Sequence, residues 1–116
     1  MTELEKRIIA AQKAGQTWAA AEEKFFLLDE TRKSYLSSLE NDLDNGALSE
    51  AKLERLARGS KQWQDHIAAL SLARGEQLRA KVRYEASVAY YEAARTAEST
   101  RRTMVSRGLY QTGQGE

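Results

Sequence analysis

Few side chains in this chain are suited to chemistry, and their spacing argues against most catalysis. His66 is the only histidine. On a helix its face would also carry Gln62, Ala69 and Leu70, none of which completes a metal site, whereas helical metal sites pair ligands at i and i+4. It therefore reads as a surface or seam histidine. Asp65 is adjacent but points elsewhere. Asp42, Asp44, Asn45 and Gly46 begin like a calcium loop, but the later ligand positions and the bidentate glutamate are missing, so the cluster reads as turn chemistry. Glu22-Glu23 and Asp29-Glu30 read as solvated helix faces. No Ser-His-Asp set, nucleophile elbow or phosphate-cradling glycine loop occurs. With no cysteine, disulfides, thiolate nucleophiles and zinc ribbons are excluded. The sequence thus assigns no catalytic residue, no metal ligand and no cofactor, and predicts a protein that is not an enzyme.

A basic and aromatic pattern carries more information. Between residues 74 and 107, Arg74, Arg79, Lys81, Arg83, Arg95, Arg101, Arg102 and Arg107 face only Glu76, Glu85, Glu92 and Glu98. At about 100° per helical residue, Tyr84, Val88, Tyr91, Arg95 and Arg102 share one face, with Lys81 at its flank. Trp63, Ile67 and Leu70 lead into that face. Nearly opposite lies a narrow stripe of Leu78, Val82, Ala86, Ala89, Ala93, Ala97, Thr100 and Met104. Its small residues permit close backbone approach, so the stripe is predicted to face the first helix.

Three readings stand for the aromatic–basic face built on Lys81, Tyr84, Tyr91, Arg95 and Arg102. It is a seam between copies of the chain, with arginines snorkelling at its edges. It is a hot spot for a different protein, since Tyr and Arg are enriched in such patches. Or it tracks phosphates and stacks bases of DNA or RNA. The chain as a whole carries 18 basic and 17 acidic residues, and four acids lie within the basic stretch. Dedicated nucleic-acid binders are more basic, so the balance favours a protein partner and keeps nucleic acid as the alternative.

The elements that must position these residues are helices. At 116 residues the chain is one domain on the usual prior of about 100–200 residues. It has no proline and is rich in helix formers. Thr2 and Glu5 form a capping box. A heptad then runs from Leu4, with Leu4, Ala11, Trp18, Phe25, Arg32 and Leu39 at a positions and Arg7, Ala14, Ala21, Leu28, Tyr35 and Asp42 at d positions. Ile8, Leu36 and Leu43 widen the stripe. Gly15 either admits a closely approaching helix or weakens its own locally. Arg32 at an a position either pairs across the seam or snorkels out. The run from Asn41 to Gly46 is the clearest break, because Asn-Gly supplies positive φ and the Asp and Asn side chains bond back to the backbone. Ser49 then caps a short helix bearing Leu53 and Leu56, which stops at Gly59, and Ser60 caps the next.

Helices are therefore predicted near 3–42, 49–58 and 60–106. The fold class is all-α: two long antiparallel helices joined by a short one, a coiled-coil-like hairpin within a single domain over 1–107, followed by a flexible tail over 108–116. So thin a hairpin is expected to bury more surface by assembling into a helical bundle, most simply as a homodimer. Trp18, Phe25, Leu28, Tyr35, Trp63, Ile67 and Leu70 are its predicted anchors, and Phe26 adds an aromatic. No apolar run approaches the about 18 residues of a membrane span. The acidic opening Met1-Thr2-Glu3-Leu4-Glu5 is not expected to begin a signal peptide.

The stretch Leu78-Arg79-Ala80-Lys81-Val82-Arg83-Tyr84-Glu85, with Tyr91-Glu92-Ala93-Ala94-Arg95 and Thr100-Arg101-Arg102 after it, resembles small helical proteins encoded by tailed bacteriophages and prophages. The resemblance covers the third helix, about half the chain. It implies a bacterial cytoplasmic setting and an accessory role, either in DNA replication or recombination or in inhibiting a host protein such as a defence system. It carries over no catalytic residue.

Overall fold

A computed structural model describes residues 1–108. The tail predicted over 108–116 lies outside the described residues apart from Gly108. The chain is all-α, with no strand among the described residues. Its helices are α1 (Glu3–Glu30), α2 (Arg32–Leu43), α3 (Glu50–Arg58) and α4 (Lys61–Ser106), of 28, 12, 9 and 46 residues. No helix among the described residues is long and apolar enough to cross a membrane.

The helix ends follow the local chemistry. The Thr2 hydroxyl accepts from the Glu5 N–H and the Glu5 carboxylate accepts from the Thr2 N–H, both at 3.1 Å, which completes the capping box. Gly46 has φ of 83°, and the Asp44 and Asn45 side chains accept from the N–H groups of Gly46 and Ala47, each at 2.9 Å. Ser49 caps α3 by accepting from the Lys52 N–H. The Ser60 hydroxyl donates to the Ala57 carbonyl at 2.6 Å and accepts from the Trp63 N–H at 3.2 Å, so one side chain ends α3 and begins α4. Gly59 ends α3 in right-handed geometry, with φ of −83°.

One predicted helix is bent. The helix expected over 3–42 is interrupted for the single residue Thr31, between α1 and α2, while the Thr31 N–H still donates to the Leu27 carbonyl at 3.1 Å and its own carbonyl accepts from the Tyr35 N–H at 2.9 Å. The Thr31 hydroxyl donates back to the carbonyls of Leu27 at 2.9 Å and Leu28 at 3.3 Å. Such back-bonding competes with the helical ladder and bends helices.

The contacts cluster into two compact units. One comprises Met1–Thr17 and the chain from Ala80 on. The α1 side of its seam is half-buried Leu4, Arg7, Ala11, Ala14 and Gly15. The α4 side is buried Ala80 with half-buried Tyr84, Ser87, Val88, Tyr91, Ala94 and Glu98. Here Arg7 lies 5.3 Å over the Tyr90 ring, and the Tyr84 ring lies against Gly15. The other unit is Trp18–Arg79. Its core is Leu39, Ala57 and Trp63, with Tyr35 and Leu36 packed on it, and Leu53 and Ala73 are also buried. Phe25 lies under Arg74 at 5.2 Å and Lys24 meets Glu76 at 3.4 Å. In both units residues later in α1 or α2 meet residues earlier in α4, so the long helices are antiparallel, as predicted.

The heptad read on the first helix matches burial from Leu4 to Leu28 and again at Tyr35 and Leu39. Arg32 and Asp42 are exposed, as are Ile8, Leu43 and Phe26. On α4 the two predicted faces are exchanged. The half-buried and buried row is Trp63, His66, Leu70, Ala73, Gln77, Ala80, Tyr84, Ser87, Tyr91, Ala94 and Glu98, alternating steps of three and four. The stripe predicted to face the first helix is exposed instead, including Leu78, Val82, Ala86, Ala89, Ala93, Ala97 and Met104. The cause is composition: the row that packs on α1 carries Gln77, Ser87 and Glu98 beside its tyrosines, whereas the opposite row is mostly alanine and exposed, so small apolar residues pointed to the wrong side as the inward face.

Candidate functional site

The structure separates the five residues of the aromatic–basic face. Tyr84 and Tyr91 are half-buried in the seam with α1. At Gly15 a Cβ would stand 3.1 Å from the Tyr84 ring, so the absent side chain makes room for the tyrosine. Val88, Tyr91 and Tyr84 therefore belong to packing rather than to an open surface. Lys81 and Arg95 are exposed on the flank of that seam, two heptads apart. Arg102 is held by Glu98 at 3.2 Å, and Arg101 by the same carboxylate at 2.8 Å. The hydrogen bond from Arg101 does most to lower the Glu98 pKa. Partial desolvation opposes it, and the Arg101 charge and the Arg102 hydrogen bond and charge lower it further.

The basic segment is thus spread around the helix and partly compensated. Arg74 covers Phe25, Arg79 lies along Gly75 of its own helix, and Arg101 and Arg102 share Glu98. Arg83, two residues after Lys81, points about 200° away from it. A cleft of about 500 Å³ is lined by Thr2, Glu3, Leu4, Ala94, Ala97, Glu98, Arg101 and Arg102. Its two acids and two arginines nearly balance.

Among the anchors, Trp63 is buried, and Trp18, Phe25, Leu28, Tyr35 and Leu70 are half-buried. Ile67 lies on the flank of the seam and is 36% exposed. His66 stacks on Tyr35, with centroids 4.8 Å apart, and on Trp63 at 5.8 Å, which places it in the seam. Its Nε2 is buried without a hydrogen-bond partner. Among the described residues no group of three or more His, Cys, Asp or Glu is placed to hold a metal ion.

The surface missed by residue spacing is the outer face of α4. From Ala86 to Met104 it carries Ala86, Ala89, Ala93, Ala97 and Thr100, all exposed and none charged, with Tyr90 at its edge beneath Arg7 of α1. Val82 and Tyr90 are 64% and 60% exposed. Apart from Tyr90, these residues formed a stripe in the sequence. What the sequence did not indicate is that the stripe faces outward. Comparison with protein-family models, with curated proteins and with solved structures gives no match.

Proposed function

We propose that the protein is a non-catalytic protein-interaction module whose outer α4 face takes a partner helix, in the first instance the same face of a second copy. The observation that carries this reading is the exposed, uncharged row from Val82 through Ala86, Ala89 and Ala93 to Met104. Contiguous exposed apolar surface marks interaction sites. Alanines at this spacing let two helix axes approach to the lower end of the about 8–10 Å range, and Tyr90 and Met104 supply bulk at its sides. A helix pair formed this way would build the bundle that the thin hairpin lacks. On the resemblance to phage accessory proteins, the same module acts as an adaptor or inhibitor of a bacterial host protein.

The nucleic-acid alternative rests on Lys81, Arg83 and Arg95, which are exposed. Their divergence around α4 and the commitment of Arg101 and Arg102 to Glu98 weigh against a continuous phosphate track.

Light scattering over a wide concentration range tests the reading. Wild-type protein is expected at dimer mass, and Ala93→Arg at monomer mass with unchanged helicity, because a buried unpaired charge is costly. A wild-type monomer at every concentration would reject self-association. Tight, salt-sensitive binding of DNA that Ala93→Arg retains would favour the alternative.

A further inference from the structure

We infer that the concavity where α2, the end of α3 and the start of α4 converge binds an acidic peptide segment with an aliphatic anchor. This rests on the reading of the chain as a protein-interaction module, but on a different surface. The concavity measures about 350 Å³ and is lined by Arg32, Lys33, Leu36, Arg58, Trp63 and Ile67. Its volume falls at the low end of the about 300–1,000 Å³ of ligand clefts. Leu36, Trp63 and Ile67 make an apolar floor, and three cations stand around it.

The cation that the heptad cannot explain has its place here. Arg32 occupies an a position, where an apolar side chain should enter the seam. The lapse at Thr31 falls immediately before it. The Arg32 side chain is 45% exposed and, among the described residues, pairs only with the Asp29 carboxylate, loosely, at 3.9 Å. Arg58 is tied to Glu54 at 3.0 Å. Lys33 has no ion-pair partner among the described residues. Three cations against two carboxylates leave a positive rim above an apolar floor.

That combination selects its occupant. A nucleic-acid base needs an open aromatic face to stack on. Trp63 offers none, since it is 5% exposed, stacks on His66 at 5.8 Å and lies under the Arg58 guanidinium at 5.8 Å. A carboxylate beside a branched aliphatic side chain uses both halves of the cleft: the acid meets Lys33 and Arg32, and the side chain covers Leu36 and Ile67.

Fluorescence anisotropy of a labelled hexapeptide alternating aspartate and leucine tests the site on the full chain. Saturable binding is expected, at least about tenfold weaker when lysine replaces aspartate, when glycine replaces leucine, or in Lys33→Glu and Arg32→Glu protein, a difference of about 1.4 kcal/mol. Circular dichroism checks that both variants keep wild-type helicity. Ala93→Arg protein, altered only on the outer α4 face, is expected to bind the peptide as the wild type does, so failure of the cleft and failure of the α4 reading are separable. Absence of saturable binding, equal binding by Lys33→Glu, or tighter binding of a labelled oligothymidylate would overturn the proposal.

Discussion

Tyr84 lies so close to Gly15 that a Cβ on the glycine would stand 3.1 Å from the ring. The pair sets the register of α1 against α4 within its unit, since a Cβ there would make the ring shift by a few tenths of an ångström and a larger side chain would displace it. Gly15→Ala sets a helix-propensity gain of about 0.5–1 kcal/mol against a small displacement of the tyrosine, and is expected to be near neutral. Gly15→Leu is expected to destabilise by about 1–3 kcal/mol through overpacking. Adding Tyr84→Ala to Gly15→Leu should cost less than the two changes summed. Urea unfolding of the four proteins measures that coupling, and strict additivity would show that the two sites do not pack.

The aromatic stack of the other unit makes a second prediction. Trp63 is 5% exposed and packs with Leu39 and Ala57, whereas Phe26 is 62% exposed. Trp63→Ala is expected to cost about 3–5 kcal/mol. Phe26→Ala, far from any buried contact, should stay within about 0.5 kcal/mol. Thermal unfolding separates the two. A large loss at Phe26 would mean that it too is covered, by a partner if not by this chain.

Glu98 gives a pH dependence. Its carboxyl pKa is lowered, chiefly by the hydrogen bond from Arg101. A carboxyl with a folded pKa below its unfolded value contributes stability that is present above the unfolded pKa and is lost as pH falls through the folded one. The contribution should therefore be intact at neutral pH and fade only on acidification below the ordinary glutamate range. The carboxylate sits at the half-buried edge of the seam and remains open to solvent, so the effect is small and screened by salt. Carboxyl NMR should find Glu98 titrating below the ordinary glutamate range and moving back toward it in Arg101→Gln. A Glu98 that titrates within the ordinary range in the wild type would rule out the arginine clamp.

What the sequence showed divides by the range of the interactions. The Thr2–Glu5 box, the Asn45-Gly46 break and the Ser49 and Ser60 caps are satisfied within a few residues of chain, so their residue types announced them. The heptad from Leu4 to Leu28 was legible because, Arg7 apart, apolar residues fill its a and d positions. The face of α4 was not. Its seam row includes Gln77, Ser87 and Glu98, while the exposed row is mostly alanine, so polarity marked the wrong side. The lapse at Thr31 was hidden for a different reason: a threonine hydroxyl competes with the helix only through its own conformation. The cleft at Lys33 requires α2, α3 and α4 together, and no local pattern encodes that meeting.

The exchange of faces on α4 can be tested directly, because the chain has no cysteine. Single Ala93→Cys and Ala80→Cys variants report on two positions with the same native side chain. Ala93 is exposed on the outer face, while Ala80 is 3% exposed in the seam. If α4 pairs with a second copy through its outer face, Ala93→Cys should form a covalent dimer under mild oxidation, because the two helices bring their alanines close enough for the about 4.4–6.8 Å Cα separation that a disulfide needs. It should also react readily with a maleimide in the dispersed monomer. Ala80→Cys should do neither while folded and should react only once urea opens the seam. If in native protein Ala80→Cys alkylated readily while Ala93→Cys was protected in the monomer, the alanine stripe would face α1 after all and the outer-face module would fall with it.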